Sequence, residues 1–318
     1  MPVTLAQAKL NVQTDLDKMV IDEFRKSSFL MDNLTFHDCV SPVGGGATPT
    51  YGYTRLITQP TAAFRAVNEE YVASEVQKQR YTVDLKIFGG TFEIDRVIAG
   101  MGGIVDEVTL QMQQKIKAAS ALFNDTVING NTGTNAKAFD GLDVALTGTA
   151  TEFNTSTAID LSTSAKVTDN YMAFIDMLDE FLLMLDGQPG FIGGNTKLIA
   201  KIRAIARRVN MYQTTKNELG QEITKYGNIT LVDFGTKAGS NDPVVPISGS
   251  DGTTSLYAAR LGIDGFHAIS MAGAPPVKTW LPDFKTAGAV KKGEVEMTAA
   301  VALKATKAAG VFRKIKVQ

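Results

Sequence analysis

Cysteine is almost missing from this chain of 318 residues, with Cys39 as its one thiol. A lone cysteine excludes an intramolecular disulfide and a cysteine-based metal cluster, and it suits a reducing compartment. Histidine is nearly as scarce: His37 and His267 stand far apart in sequence, each without an obvious triad. Cys39 lies two residues from His37, but neighbours on one short loop supply no third group to hold a thiolate and its base together. There is no uninterrupted apolar run of about 18 residues, so no membrane helix is expected. Residues 1–12 lack the long apolar stretch of a signal peptide. Nor is there an excess of either charge, since 32 Lys and Arg face 33 Asp and Glu for a formal charge of -1. That balance argues against a dedicated nucleic-acid binder, which normally shows a clear basic surplus. The sequence therefore offers no ready active site, no resident metal and no cofactor.

Apolar residues are plentiful at 44% of the chain, enough for large cores and for roughly two domains. Near the start, Leu5, Ala8, Val12, Leu16, Met19 and Val20 recur at helical spacing behind Thr4, a possible N-cap. A one-sided helix at a terminus needs a surface to lie on, its own domain or a neighbour. Gly44-Gly-Gly46 ends this arm. Thr50–Ile57 reads as a strand. Residues 80–87 alternate, with Tyr81, Val83, Leu85 and Ile87 on one face, as in a half-buried strand. Between these strands lies a polar excursion around Pro60 carrying Phe64, Arg65 and Glu69, so a long projecting hairpin is predicted. A short strand over residues 92–95 follows a break at Gly89-Gly90. Ile104, Val108, Met112, Ile116, Ala119, Phe123 and Val127 then mark a helix of about 35 Å at ~1.5 Å per residue, long enough to be a structural spine. Asn129-Gly130 stops it with residues tolerant of left-handed geometry.

A second helix is predicted from Met172, Ile175, Leu178, Leu182 and Leu185, and a third from Leu198, Ile202, Ile205 and Val209. Short strands at residues 191–195 and 229–233 flank the third, which makes an α/β unit. Strands at residues 277–281, 290–303 and 311–317 are expected to return to the domain of the spine.

Gly44-Gly-Gly46 precedes no Gly-Lys-Ser/Thr and no helix, so it is no phosphate cradle. Gly100-Met-Gly-Gly103 meets a helix start but lacks the later acid of a dinucleotide site, and reads as a hinge or close-packing point. Asp176, Asp179, Glu180 and Asp186 could pair around a metal, but complementing Lys197, Lys201, Arg203, Arg207 and Arg208 is the simpler role. From Lys285 onward eight Lys and Arg oppose only Glu294 and Glu296. Both a wall facing DNA, with salt-sensitive phosphate attraction, and a plain solvated face fit that bias.

The order of these elements, with Leu122-Phe-Asn-Asp-Thr-Val-Ile-Asn-Gly130, Ala138-Phe-Asp-Gly-Leu142, Phe191-Ile-Gly-Gly-Asn195, Ser255-Leu-Tyr-Ala-Ala-Arg-Leu-Gly262 and Asp264-Gly-Phe-His267, resembles the major capsid proteins of tailed bacteriophages. Encapsulins share that shell fold. The resemblance implies an α+β fold with an N-terminal arm (residues 1–45), an extended β-hairpin loop (46–90), a peripheral domain with a long spine helix (91–142), an inserted α/β axial domain (143–272) and return strands of the peripheral domain (273–318). It further implies a structural protein of the virion, assembled in the host bacterial cytoplasm. Hexamers and pentamers would close an icosahedral shell around double-stranded DNA, working with a portal protein and with scaffolding or decoration proteins. Leu5, Leu16 and Val20 of the arm, with Phe64, Arg65 and Glu69 of the loop, would meet neighbouring copies. An encapsulin-type compartment is poorly separated from this reading by sequence, and a soluble α/β enzyme of unknown reaction is the remaining alternative.

Some relatives join an extended-loop lysine to a neighbour's asparagine. Here no lysine occurs between Lys26 and Lys78, so the loop tip has no amine nucleophile. Assembled particles, boiled and denatured, are expected to run as a single band near 34.1 kDa. A ladder that peptide mapping traces to Lys–Asn linkage would refute this.

Overall fold

The computed structural model describes residues 29–41, 48–101, 106–209, 213–216, 222–237 and 239–318. In chain order the elements begin with α1 (Phe29–Asn33), β1 (Phe36–Val40), β2 (Thr50–Thr58), β3 (Gln77–Asp84), β4 (Lys86–Asp95), α2 (Arg96–Gly100) and α3 (Glu107–Asn129). Next come α4 (Leu142–Leu146), β5 (Glu152–Phe153), β6 (Ile159–Asp160), α5 (Ser164–Leu183), β7 (Phe191–Gly194), α6 (Thr196–Arg208), β8 (Gln213–Lys216), β9 (Glu222–Tyr226) and β10 (Ile229–Asp233). The last are β11 (Thr253–Ala259), β12 (Phe266–Met271), β13 (Val277–Trp280), β14 (Val290–Leu303), a 3-10 turn (Thr306–Ala308) and β15 (Ala309–Lys316).

Helix starts follow local chemistry. The side chains of Asp106, Thr163 and Asn195 accept from backbone amides of the first turns of α3, α5 and α6, pairing N–H groups that have no partner inside the helix. The predicted spine is α3, with Met112, Ala119, Phe123 and Val127 buried; Ile104 lies outside the described residues.

Two large sheets share this helix. The smaller contains β1, β4, β12, β13 and β14; the larger runs β5-β15-β11-β7-β10-β9-β8, with β6 also paired to β15. The larger sheet is apolar on both faces. Phe191, Val232, Tyr257, Ala259 and Val311 join a core with Phe123, Val127 and Ile128 of α3. Their strand neighbours Ile192, Leu231, Leu256, Ala258 and Phe312 pack with α5 and α6. Such two-sided strands must be covered on both faces.

That requirement corrects the expected return of the last strands. β13 and β14 pair in the smaller sheet, but β15 pairs with β11 in the larger one. Val311 of β15 faces one core while Phe312 and Ile315 face the other, and the larger sheet supplies both. β12 moves the other way, pairing with β1 and β14 in the smaller sheet.

Three local expectations also change. β4 runs unbroken through Gly89-Gly90, paired with β14. A Cβ at Gly89 would stand 1.9 Å from the Val295 carbonyl oxygen, so this glycine permits close strand approach rather than a break. The alternation predicted over 80–87 holds through the buried Leu85 and breaks after it, where β3 has handed over to β4 and Ile87 turns outward. On α5 the buried residues are Val167, Phe174, Leu178 and Phe181, while Met172 is 57% exposed. Phe174 and Phe181 set that face because their rings pack 6.1 and 6.0 Å from Phe312.

The end of α3 is the sharpest correction. Gly130 has φ -55° and ψ 136°, with no left-handed turn. The segment Ala138–Leu142 instead crosses the helix end, and the Gly141 amide donates to the Gly130 carbonyl at 2.8 Å. A Cβ at Gly141 would lie 2.6 Å from the Thr126 carbonyl oxygen and 2.7 Å from that of Ile128. Gly141→Ala is therefore expected to lose about 1–3 kcal/mol of stability through forced backbone shifts. Gly133→Ala meets only the Asn131 side chain and is expected to stay within about 0.5 kcal/mol. Urea unfolding midpoints of the two variants would check the contrast.

Candidate assembly surfaces

Among the described residues β2 and β3 pair only with each other, as a separate two-stranded sheet. From residue 56 to residue 80 every side chain is exposed. Beyond the strands the excursion is tied by few bonds, among them the Thr61 amide to Ser74 Oγ at 3.1 Å and the Gln77 amide to Thr58 Oγ1 at 3.1 Å. At its tip, Arg65 donates to the Glu69 carbonyl at 3.2 Å, and the Ala66 amide donates to the Glu69 carboxylate at 3.2 Å. The Arg65 guanidinium also lies 5.4 Å from the Tyr71 ring centre. Arg65 and Glu69 thus shape the tip while Phe64 projects from it, fully exposed beside Val67 and Val72. Two strands alone are marginal in water, and an apolar tip of this kind gains by meeting another surface.

The root of the hairpin is anchored. Tyr53 Oη donates to the Leu303 carbonyl at 3.0 Å, and Arg55 Nε donates to that of Lys304 at 2.8 Å. Arg55 stacks 4.4 Å above the Tyr81 ring. Beside this anchor runs an open cleft of about 800 Å³ lined by Arg55, Leu56, Ile57, Lys304, Lys307 and Asp186 among others. Burial raises the Tyr53 hydroxyl above its ordinary range despite the nearby Arg55, which keeps it a neutral donor. Other large apolar side chains are exposed on and just after α2 (Val97, Ile98, Met101) and at the end of β13 (Trp280, Leu281).

Within the body, Arg313 holds the α4 region against β15. Its guanidinium donates to Asp143 at 2.8 Å, to Thr147 Oγ1 at 2.8 Å and to the Glu152 carboxylate. Tyr257 Oη donates to the same Asp143 oxygen at 2.8 Å. Burial works to raise the Glu152 carboxyl, but the Gly148 amide and Arg313 outweigh it and hold it below its ordinary 4.5.

No family profile and no curated protein matches the sequence. Solved structures do. The holo-SrpI encapsulin complex from Synechococcus elongatus PCC 7942 superposes with a TM-score of 0.66 at 14% identity, covering 99% of this chain and 97% of that one. The capsid of Myoviridae phage XM1 gives 0.64 at 10% identity, covering 99% of both chains. A structure of Microbacterium phage Oxtober96 gives 0.63 at 11%, covering 100% of both. The chain has the α+β fold of phage capsid and encapsulin shells.

On that shell fold, the expected site residues divide. Phe64, Arg65 and Glu69 share the hairpin tip, whereas Leu5, Leu16 and Val20 lie outside the described residues. No group of three or more His, Cys, Asp or Glu side chains among the described residues is placed to hold a metal ion. Asp179 accepts from Tyr226 Oη at 2.7 Å rather than from the basic helix α6. Its partners there bond elsewhere: Lys201 donates to the Ser162 carbonyl and Arg208 to Ser164 Oγ. The basic tail is dispersed, with Lys292 on Glu93, Lys304 beside Tyr51, Arg313 in its acid network and Lys314 on the Thr155 carbonyl. It is not one basic face. No helix among the described residues is long and apolar enough to cross a membrane.

Sequence reasoning missed the Tyr51, Tyr53 and Arg55 anchor, although three alternate positions of one strand were there to signal it. It also missed the Arg313 network, whose partners lie about 160 residues apart and leave no local trace. Arg313→Met should lower stability by about 1–2 kcal/mol, because the mostly buried Glu152 carboxylate loses its counter-ion while the more exposed Asp143 is partly screened by solvent. Since Glu152 titrates low when folded, its contribution is present above about 4.5 and fades as pH falls through the folded value. Glu152→Gln should flatten that acid limb in denaturation curves taken at successive pH values.

Proposed function

We propose that this chain is the major capsid subunit of a tailed bacteriophage, assembling as hexamers and pentamers into an icosahedral shell that encloses double-stranded DNA. The observation that carries this reading is the projecting hairpin with its exposed apolar tip, set on a fold that matches shell proteins over its whole length. In this reading residues 1–45 are the arm, 46–90 the extended loop, 91–142 and 273–318 the peripheral domain around the spine, and 143–272 the axial domain. β12 and β15 are then strands exchanged between the last two units. Phe64 at the tip meets a neighbouring copy, and Arg65 and Glu69 hold the tip in the shape it presents. A portal protein, with scaffolding or decoration proteins, completes the particle in the host cytoplasm. DNA contact is nonspecific and spread over separate lysines, so it should be weak and salt-sensitive.

The SrpI encapsulin match supports a second reading, a protein compartment enclosing a cargo enzyme. Purified particles separate the two: packaged DNA or a portal ring selects the capsid, and a bound cargo protein selects the compartment.

The full chain, expressed with or without scaffolding help, should form hexamers, pentamers, sheets or closed shells. Replacing residues 59–76 with a short turn should abolish those species and leave a folded subunit. Sedimentation velocity and electron microscopy would test this. A native chain that stays monomeric over a wide concentration range, or a loop-deleted chain that still builds normal particles, would overturn the assignment of the hairpin.

A further inference from the structure

The underside of the hairpin root holds two histidines that assembly does not explain. His267, in β12, is 0% exposed, and neither ring nitrogen has a hydrogen-bond partner. Buried polar atoms are nearly always paired, so an orphaned ring is unusual. The parallel register of β1 on β12 sets Phe36 opposite Ala268 and His37 opposite Ile269. Phe36 packs on Phe123 of α3, so His37 points to the other side of the sheet, where its ring lies 5.9 Å from that of His267. His37 Nδ1 is also buried without a partner. Tyr51 of β2 closes over both rings edge-on, at 6.0 Å from His37 and 6.1 Å from His267.

The surroundings of His267 favour the neutral ring on balance. β1 contributes Cys39, β2 contributes Tyr51, Tyr53 and Arg55, and β3 contributes Tyr81. Lys304, just past β14, places its ammonium 5.7 Å from the Tyr51 ring. The nearby carboxylates are engaged elsewhere. Asp264 pairs with Arg260 at 3.0 Å, Asp38 accepts from the Gly273 amide at 3.1 Å, and Asp84 accepts from Thr50 Oγ1 at 2.7 Å. A proton arriving on the His267 ring therefore meets burial, the Lys304 ammonium and His37, which outweigh the Gly265 backbone and the Asp264 carboxylate acting in its favour.

We propose that His267, with His37 and Tyr51 packed on its ring, is a proton-operated latch at the hairpin root: neutral, it lets Tyr51 seat and keeps the hairpin docked; protonated, it releases the hairpin from the body. Burial, the Lys304 ammonium and His37 push His267 down to about 4 from its ordinary 6.5. The lifted state, with the ring hydrated, titrates near 6.5. The docked state binds protons less readily, so docking is fully favoured above 6.5, weakens as pH falls towards about 4, and changes no further below that. With one proton taken up on release, the docking equilibrium falls about tenfold per pH unit inside this window.

The test is hydrogen exchange by mass spectrometry on the full chain from about pH 7.5 to 4.5, corrected for intrinsic rates, with assembly state held constant. Protection of residues 50–56 and 80–84, relative to residues 290–299, should fall roughly tenfold per unit below pH 6.5. His37→Leu with His267→Leu should remove that dependence, and Lys304→Gln, which raises the docked-state value of His267, should leave the onset near 6.5 but make the loss level off at a higher pH, with a smaller total loss. Protection that does not change across the window, or the same loss in the double variant, would overturn the latch. Should the double variant fail to fold, Lys304→Gln decides alone: a loss of protection as large as that of the native chain down to pH 4.5, with no levelling off, refutes the proposal.

Discussion

The last three turns of α3 are the constraint on which the rest of the structure depends. Phe123, Val127 and Ile128 are fully buried between the two large sheets and belong to the same core as residues of both. Phe123 stacks with Phe36 and Phe88 of the smaller sheet and touches Phe139 of the crossing segment. Two amides fix the other side: Asn124 donates to the Phe234 carbonyl at 2.7 Å and Asn129 to the Val244 carbonyl at 2.6 Å. Removing an aromatic such as Phe123 from a packed core costs about 3–5 kcal/mol, a large share of a domain's net stability. The sheets are thus held to one helix by groups that cannot move independently, and the relative position of the two units is set there.

Helical and alternating spacing made most of the individual elements legible. α3, α6, β10 and β14 could be placed because their apolar periods are long or their ends punctuated. Sheet membership was not legible. β12 and the first half of β15 are short runs without a clean alternation, and such runs say only that both faces are covered, not by which sheet. Gly130 and Gly141 misled for a related reason. Their role is close approach between segments, which depends on a contact that sequence does not display, and the same residue type serves a left-handed turn equally well. At the candidate surfaces, Phe64 was named through the resemblance to capsid proteins, and the structure shows its side chain exposed at the hairpin tip. His37 and His267 were not legible as a pair, because 230 positions separate two residues that a parallel strand pair makes neighbours.

The hairpin follows different physics from the body. Its root contacts are a few aromatic, cation–π and hydrogen-bond interactions, each worth about 1 kcal/mol. The body is held by continuous cores on both faces of the larger sheet. A hinge between the two is the expected consequence, because the root can be rearranged at an energy far below that of disturbing α3. The anchoring carbonyls of Leu303 and Lys304 lie where the chain leaves β14 for β15, so the hairpin is moored at the crossover between the two sheets.

That mooring point gives the surface features a common logic. The long strand β14 carries β4 along its first ten residues and β12 along its last five, so the far end of the smaller sheet and the hairpin root are joined through one continuous element. The exposed apolar residues near Trp280 sit beside one end of β14, and Tyr53 and Arg55 grip the other. A strand of that length spans about 45 Å at ~3.3 Å per residue. A neighbour engaging the hairpin would load the far end of the strand whose near end lies beside those exposed apolar residues. Because paired strands resist shear far better than side-chain contacts do, displacement should concentrate at the hairpin root rather than within the sheet, where each backbone group is already committed to a ladder bond.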